Sequence, residues 1–229
     1  SDTYTYGGSW TSFAPGLGTI NQVGSGTLIF SQDNSNYSGA VNVLNGTMQF
    51  GNGGTTGSVV VDILDNANVA FNHSNTYTYS HVISGTGSVE QMGSGTLIFT
   101  GGNSYTGSTT ISGGTLQVGS GGLTGDISAS SNIVDNGALI FNRSNTVTYG
   151  GVVSGTGSMM QGGSGTTILT GTNTYTGGTT ISAGTLQLGN GGPSGSVVGN
   201  ITDDTNLIVD RSNTYTYGDV ISGTGTLTK

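Results

Sequence analysis

The side chains able to do acid–base or metal chemistry are few in this sequence and poorly grouped. Asp62 with Asp65 and Asp203 with Asp204 are its tightest carboxylate pairs, and His73 and His81 stand eight positions apart. Two carboxylates can share Ca²⁺ through their oxygens or pass a proton to a glycosidic oxygen, and two imidazoles can begin a zinc site. None of these patterns is completed. The Gly-Gly-x-Gly-x-Asp calcium repeat is missing, the histidines have no matching third ligand, and no Gly-x-Ser-x-Gly is accompanied by a suitable His and Asp. Most acidic residues fall in turn contexts such as Asp135-Asn136-Gly137, where Asp and Asn side chains bond the local backbone. His73 takes the place held elsewhere by Arg143 and Arg211 and reads as a solvated turn residue. No catalytic residue, metal ligand or cofactor is therefore expected.

Charge narrows the partners. Three basic residues (Arg143, Arg211, Lys229) face eleven acidic ones for a net charge of -8, so no basic stripe is available to neutralise phosphates. Nucleic acid and an anionic membrane surface are both disfavoured. No apolar run approaches the roughly 18 residues needed to cross a bilayer, no signal segment opens the sequence, and there is no Cys.

The elements that must position any functional group are legible as a repeat. Ser25-Gly26-Thr27-Leu28-Ile29-Phe30 returns at Ser94 to Phe99 and, loosened, at Ser164 to Leu169, offsets of 69 and 70 residues. A second marker, Ser74 to Tyr79, matches Ser1 to Tyr6, Ser144 to Tyr149 and Ser212 to Tyr217 on the same beat. Such a period points to stacked units. With 45 Gly and few helix formers, the stacked elements are short strands closed by Gly, Asn, Ser or Asp.

Eight or nine short strands per period suggest three strands per coil and three coils per repeat, each of about 23 residues. The expected fold is all-β: a right-handed parallel β-helix of about ten coils, a rod on the order of 50 Å long. A β-propeller fits less well, because its blades need about 40 to 50 residues. One β-helical segment over 1–229 is expected, with repeats near 1–73, 74–143 and 144–211 and a partial copy at 212–229. Alternation along a strand turns Leu97 and Phe99 inward and Ile98 outward. Tyr77, Val147 and Tyr215, at matched positions, are read as core filling.

Gly163 to Gly189 (GSGTTILTGTNTYTGGTTISAGTLQLG) resembles the passenger-associated strand repeat of bacterial autotransporters, with further copies at Gly102 to Gly119 and, more drifted, Asn36 to Gly51. Val82 to Ser88, Val152 to Ser158 and Val220 to Thr226 resemble the stretch that precedes it in that family. The resemblance implies a passenger of type V secretion, at the Gram-negative cell surface or secreted, whose parent chain carries a C-terminal outer-membrane barrel. Both ends stop inside a repeat, which reads as a segment cut from a longer chain.

The functional expectation is a non-catalytic surface rod acting in adhesion, self-association or display, with a host-cell molecule, a bacterial surface molecule or itself as partner. The alternatives are an effector that binds a host-cell receptor and, less favoured, a polysaccharide-active enzyme. Candidate contact residues are Trp10 and Phe13, in an insert of the first copy, and the outward Ile29, Ile98 and Ile168. Aligned with Ile140 and Ile208, these would form an apolar stripe.

Overall fold

The computed structural model describes residues 3–7, 18–129 and 131–229. Its regular elements are strands of two to four residues, closed by Gly-rich corners, and the paired strands run parallel. The chain winds as a parallel β-helix of about 11 turns. Short β-branched runs fix each strand, while Gly and Asx residues turn the chain after four positions.

Each turn visits three faces. The first stacks Thr3–Tyr6, Thr27–Phe30, Thr47–Phe50, Asn68–Phe71, Ser88–Gln91, Thr109–Ile111, Ile133–Asp135 and Val153–Ser154. The second stacks Thr76–Tyr79, Thr96–Phe99, Thr115–Val118, Ala138–Phe141, Ser158–Gln161, Thr179–Ile181, Ile201–Asp203 and Ile221–Ser222. The third carries two sheets, one from Thr19–Gln22 to Ile83–Ser84 and one from Val147–Tyr149 to Thr226–Thr228. They are linked by the bond from Ser104 N–H to Ile83 C=O, the Gly102–Asp126 bridge and the bond from Gly150 N–H to Ala129 C=O.

The coil is shorter than the sequence suggests, and the period does not close on a whole number of coils. Thr27 pairs with Thr47, Thr47 with Asn68 and Asn68 with Ser88, steps of 20, 21 and 20 residues; rungs lengthen to 24 from Thr109 to Ile133 and 25 from Asn34 to Val59, where a Gly-rich loop is inserted. From Thr76–Tyr79 to Ala138–Phe141 there are eight strands, and bridges at Gly102 and Asp126 bring the segments to ten; at three per coil, one period spans three and a third coils. The expectation of three coils per repeat is therefore corrected. Each period moves its residues one face onward: Thr27 lies on the first, Thr96 on the second and Thr166 on the third.

The interior inherits the same ladder face by face. Phe30, Phe50, Phe71, Gln91, Ile111 and Asp135 stack up the first face, and Phe99, Val118, Phe141, Gln161, Ile181 and Asp203 repeat that order on the second. The rings of Phe30, Phe50 and Phe71 follow one another at 5.8 Å. Leu97 and Phe99 are buried as expected, and each aliphatic side chain removed from water contributes about 1.5–3 kcal/mol. Gln22, Gln91 and Gln161 each end a strand with Nε2 donating to two turn carbonyls; those of Gln91 are Gly93 at 2.9 Å and Gly95 at 3.2 Å.

Candidate interaction surface

On a ladder spaced about 4.8 Å per rung, outward side chains form columns and shield one another. The second face presents Thr78, Ile98, Gln117, Ile140, Met160, Thr180 and Thr202 in one column. Ile98, Ile140 and Met160 are half-buried there, an apolar strip interrupted by one amide. Ile29 stands on the first face beside Gln49 and Ala70, and Ile168 on the third between Thr148 and Gln187, with Ile208 one rung beyond. The three isoleucines thus lie on three different faces and form no common stripe. Ile29 (8 % exposed) and Ile168 (9 %) are also largely covered, which leaves Ile98 with Ile140 as the outward pair sharing a column on the second face. Trp10 and Phe13 lie outside the described residues.

Exposed apolar side chains that strand alternation does not single out sit at the turns. Val23 and Met92 follow the turn-holding Gln22 and Gln91, and Leu123 tops a Gly-rich loop at 67 % exposure. Their signal in the sequence is a large aliphatic residue inside a Gly or Ser cluster.

The titratable groups do not converge. Asp65 and Asp203 face the interior while Asp62 and Asp204 face out, so neither pair can hold one ion between its carboxylates. His81 Nδ1 lies 3.5 Å from Asp62, at the surface. Among the described residues, no three His, Asp or Glu side chains come together.

Asp65, Asp135 and Asp203 were legible only as turn residues, yet each ends a strand with its side chain buried. Each Oδ1 accepts the backbone N–H two residues on, at 3.0, 3.0 and 3.1 Å. Oδ2 of Asp65 and of Asp135 has no hydrogen-bond partner among the described residues. Burial without a cation disfavours the carboxylate and pushes both groups up to about 6. The next coil passes close over each of them: a Cβ on Gly87 would lie 2.2 Å from Asp65 Oδ1, and Gly157 and Gly225 stand likewise over Asp135 and Asp203. The recurring Ile-x-Asp, followed about 20 residues later by Ser-Gly-Thr-Gly, is the signal that could have found this packing.

His73 is not solvated. It is 4 % exposed and stacks on Tyr77, and burial lowers its basicity. Its counterpart Arg143 donates Nη1 to Gly125 C=O at 2.6 Å and pairs with Asp126, gives Nη2 to Leu123 C=O, and gives Nε to Asn145 Oδ1 at 3.0 Å. Arg211 repeats the set on Gly195, Pro193 and Asn213. These cations brace a Gly-rich loop from within.

The family described as the passenger-associated-transport-repeat matches residues 20–50, 89–118 and 161–188. The matches occupy the third and first faces, then the first and second, then the second and third, the same one-face advance that the strands show. The chain is 36 % identical over 173 residues to the adhesin BmaC autotransporter of Brucella suis biovar 1 (strain 1330), an alignment covering 66 % of this chain and 5 % of that protein. The chain thus spans about a twentieth of the length of that relative. No solved structure matches it.

Proposed function

We propose, from the premise that the chain is an autotransporter passenger segment built on passenger-associated transport repeats, that it works as a non-catalytic adhesive rod at the Gram-negative cell exterior. The observation that supports this reading best is the outer surface itself. Columns of Thr, Gln and Ile recur on the second and third faces, with Met160 added on the second, offering hydroxyl, amide and apolar contacts at a regular pitch. Many weak contacts along a rod add through effective concentration, so useful attachment needs no deep cleft. The relative's name as an adhesin points the same way.

The acidic side chains support the non-catalytic part. Asp135, Asp203 and Asp65 are turned into the core on the first, second and third faces, so they present no carboxylate pair flanking a bond. Host-cell or bacterial surface molecules are the proposed partners.

The test is attachment. Beads coated with the chain should bind epithelial cells, and changing Ile98, Ile140 and Met160 together to Lys should reduce retention under flow without changing the thermal midpoint. Unchanged retention would remove the second face from the adhesive surface. Turnover of any polysaccharide in a panel would overturn the non-catalytic reading.

A further inference from the structure

In two copies of the Ser-Asn-Thr-Tyr-Thr-Tyr marker, a partly buried tyrosine closes one corner of the coil. The Tyr77 hydroxyl donates to Val59 C=O at 2.7 Å and accepts from Val59 N–H at 3.0 Å, with its ring 6.0 Å from Phe71 and 4.5 Å from His73. Tyr215 keeps one of these bonds, donating to Val197 C=O at 3.2 Å under the Arg211 guanidinium. At the matching position between them stands Val147. The corner there is a pocket of about 290 Å³, open on one side, lined by Ile127, Phe141, Arg143 and Val147 and by the exposed Thr146 and Thr148.

The walls state what would fit. Phe141 takes the place of Phe71, and Ile127 that of Val59. The N–H and C=O of Ile127, counterparts of the Val59 pair that holds the Tyr77 hydroxyl and of the Val197 carbonyl that accepts from Tyr215, make no hydrogen bond among the described residues. Arg143 is 7 % exposed, and its edge is taken up by Gly125, Leu123, Asn145 and the Asp126 carboxylate. A neutralised guanidinium with its donors engaged is a poor anion site, whereas its flat face still attracts an aromatic ring.

We propose that this corner is a binding site for a phenolic ring, which would lie on Phe141 and Arg143 and exchange hydrogen bonds with the Ile127 backbone through its hydroxyl. An apolar cavity of about 150 Å³ can already take up benzene, so a space of this size with one donor and one acceptor suits a para-substituted phenol. The phenol can be a free small molecule or the tyrosine side chain of another chain.

The probe is p-cresol, with toluene as its hydroxyl-free counterpart and N-acetyltyrosinamide as a blocked tyrosine. The 229-residue chain should bind p-cresol saturably by calorimetry, with a rise in thermal midpoint, and toluene at least tenfold more weakly because Ile127 is then left unpaired. Val147→Tyr should fill the corner, raise the midpoint unaided and abolish p-cresol binding; Val147→Phe gives a second filled corner should the tyrosine fail to fold. Binding of N-acetyltyrosinamide with a comparable constant supports a tyrosine from a partner chain, and binding of p-cresol alone supports a free phenol. Equal affinity for p-cresol and toluene, undiminished p-cresol binding by a folded filled variant, or no binding at all would overturn the proposal.

Discussion

His73 stacks on Tyr77 with ring centroids 4.5 Å apart, in the place where Arg211 lies 4.4 Å over Tyr215. The histidine keeps the stack but not the bracing, since neither of its ring nitrogens has a hydrogen-bond partner among the described residues. Asp33, whose carboxylate accepts from Gly57 N–H and Ser58, acts on the imidazole from the adjacent loop. His73→Arg should bring a cation to that loop in the manner of Arg143 and Arg211. We expect a gain of about 1–2 kcal/mol, read as a higher urea midpoint at pH 7.5. A lower midpoint would show that the first copy has repacked around the smaller ring.

The buried carboxyls set a dependence on pH with a definite sign. Asp65 and Asp135 titrate at about 6 when folded, against 3.8 when unfolded. Their penalty is absent below pH 4, grows from pH 4 to 6 and is complete above, so they make the fold more stable in acid. A shift of this size is worth on the order of 3 kcal/mol per group. His73 acts in the opposite sense, because a lowered folded pKa costs stability as pH falls through 6.5. Asp65→Asn with Asp135→Asn should therefore flatten the rise between pH 7 and pH 4.5 and increase the thermal midpoint at pH 7.5. An unaltered pH profile would mean that the carboxyls are solvated in solution.

Gly87 is required by space. An added Cβ would meet the Asp65 carboxylate at 2.2 Å, with the backbone held in place by the bond from Gly87 N–H to Asp65 C=O at 2.8 Å. Gly87→Ala should cost about 2–3 kcal/mol. Gly122→Ala, where nothing lies within 4 Å of the new carbon, should be neutral or slightly stabilising. Combining Gly87→Ala with Asp65→Ala should return part of the loss, and a double-mutant cycle with no coupling would refute the contact.

Much of the rod could be read before any coordinates. Leu97 and Phe99 face inward because strand alternation allows nothing else, and the Tyr-to-Val exchange at 147 was visible as a break in a repeated marker. The inward Asp65 and Asp135 were not legible, because an Asp before Asn reads as a turn and only stacking reveals a Gly of the next coil over it. The burial of His73 is hidden for a similar reason: a polar residue in an Asn- and Ser-rich corner reads as solvated, and the Tyr77 ring that covers it comes from the following strand. The coil length was hidden by the loops after Gly51 and Gly119, which stretch rungs such as Val41 to Ile63 and Thr109 to Ile133 and make 70 residues resemble three whole coils.

That one-third turn is itself open to measurement. The chain has no Cys, so paired cysteines can be placed freely. Ile98 and Ile140 share a column two rungs apart, about 9.6 Å along the axis. Ile98 and Ile168 are separated by about 16 Å of rise and lie on different faces. A bis-maleimide of roughly 10 Å reach, a span of two rungs, should join Ile98→Cys with Ile140→Cys within one molecule and leave Ile98→Cys with Ile168→Cys unjoined. Were the period three whole coils, Ile98 and Ile168 would lie in one column, and a longer reagent of about 14 Å would bridge them along the surface. Efficient bridging of that pair by the longer reagent, with rigid arms that cannot wrap a corner, would return the equivalent residues of all copies to one face. Failure to bridge would leave each period presenting its motif in a new direction, so that three periods are needed before any face repeats.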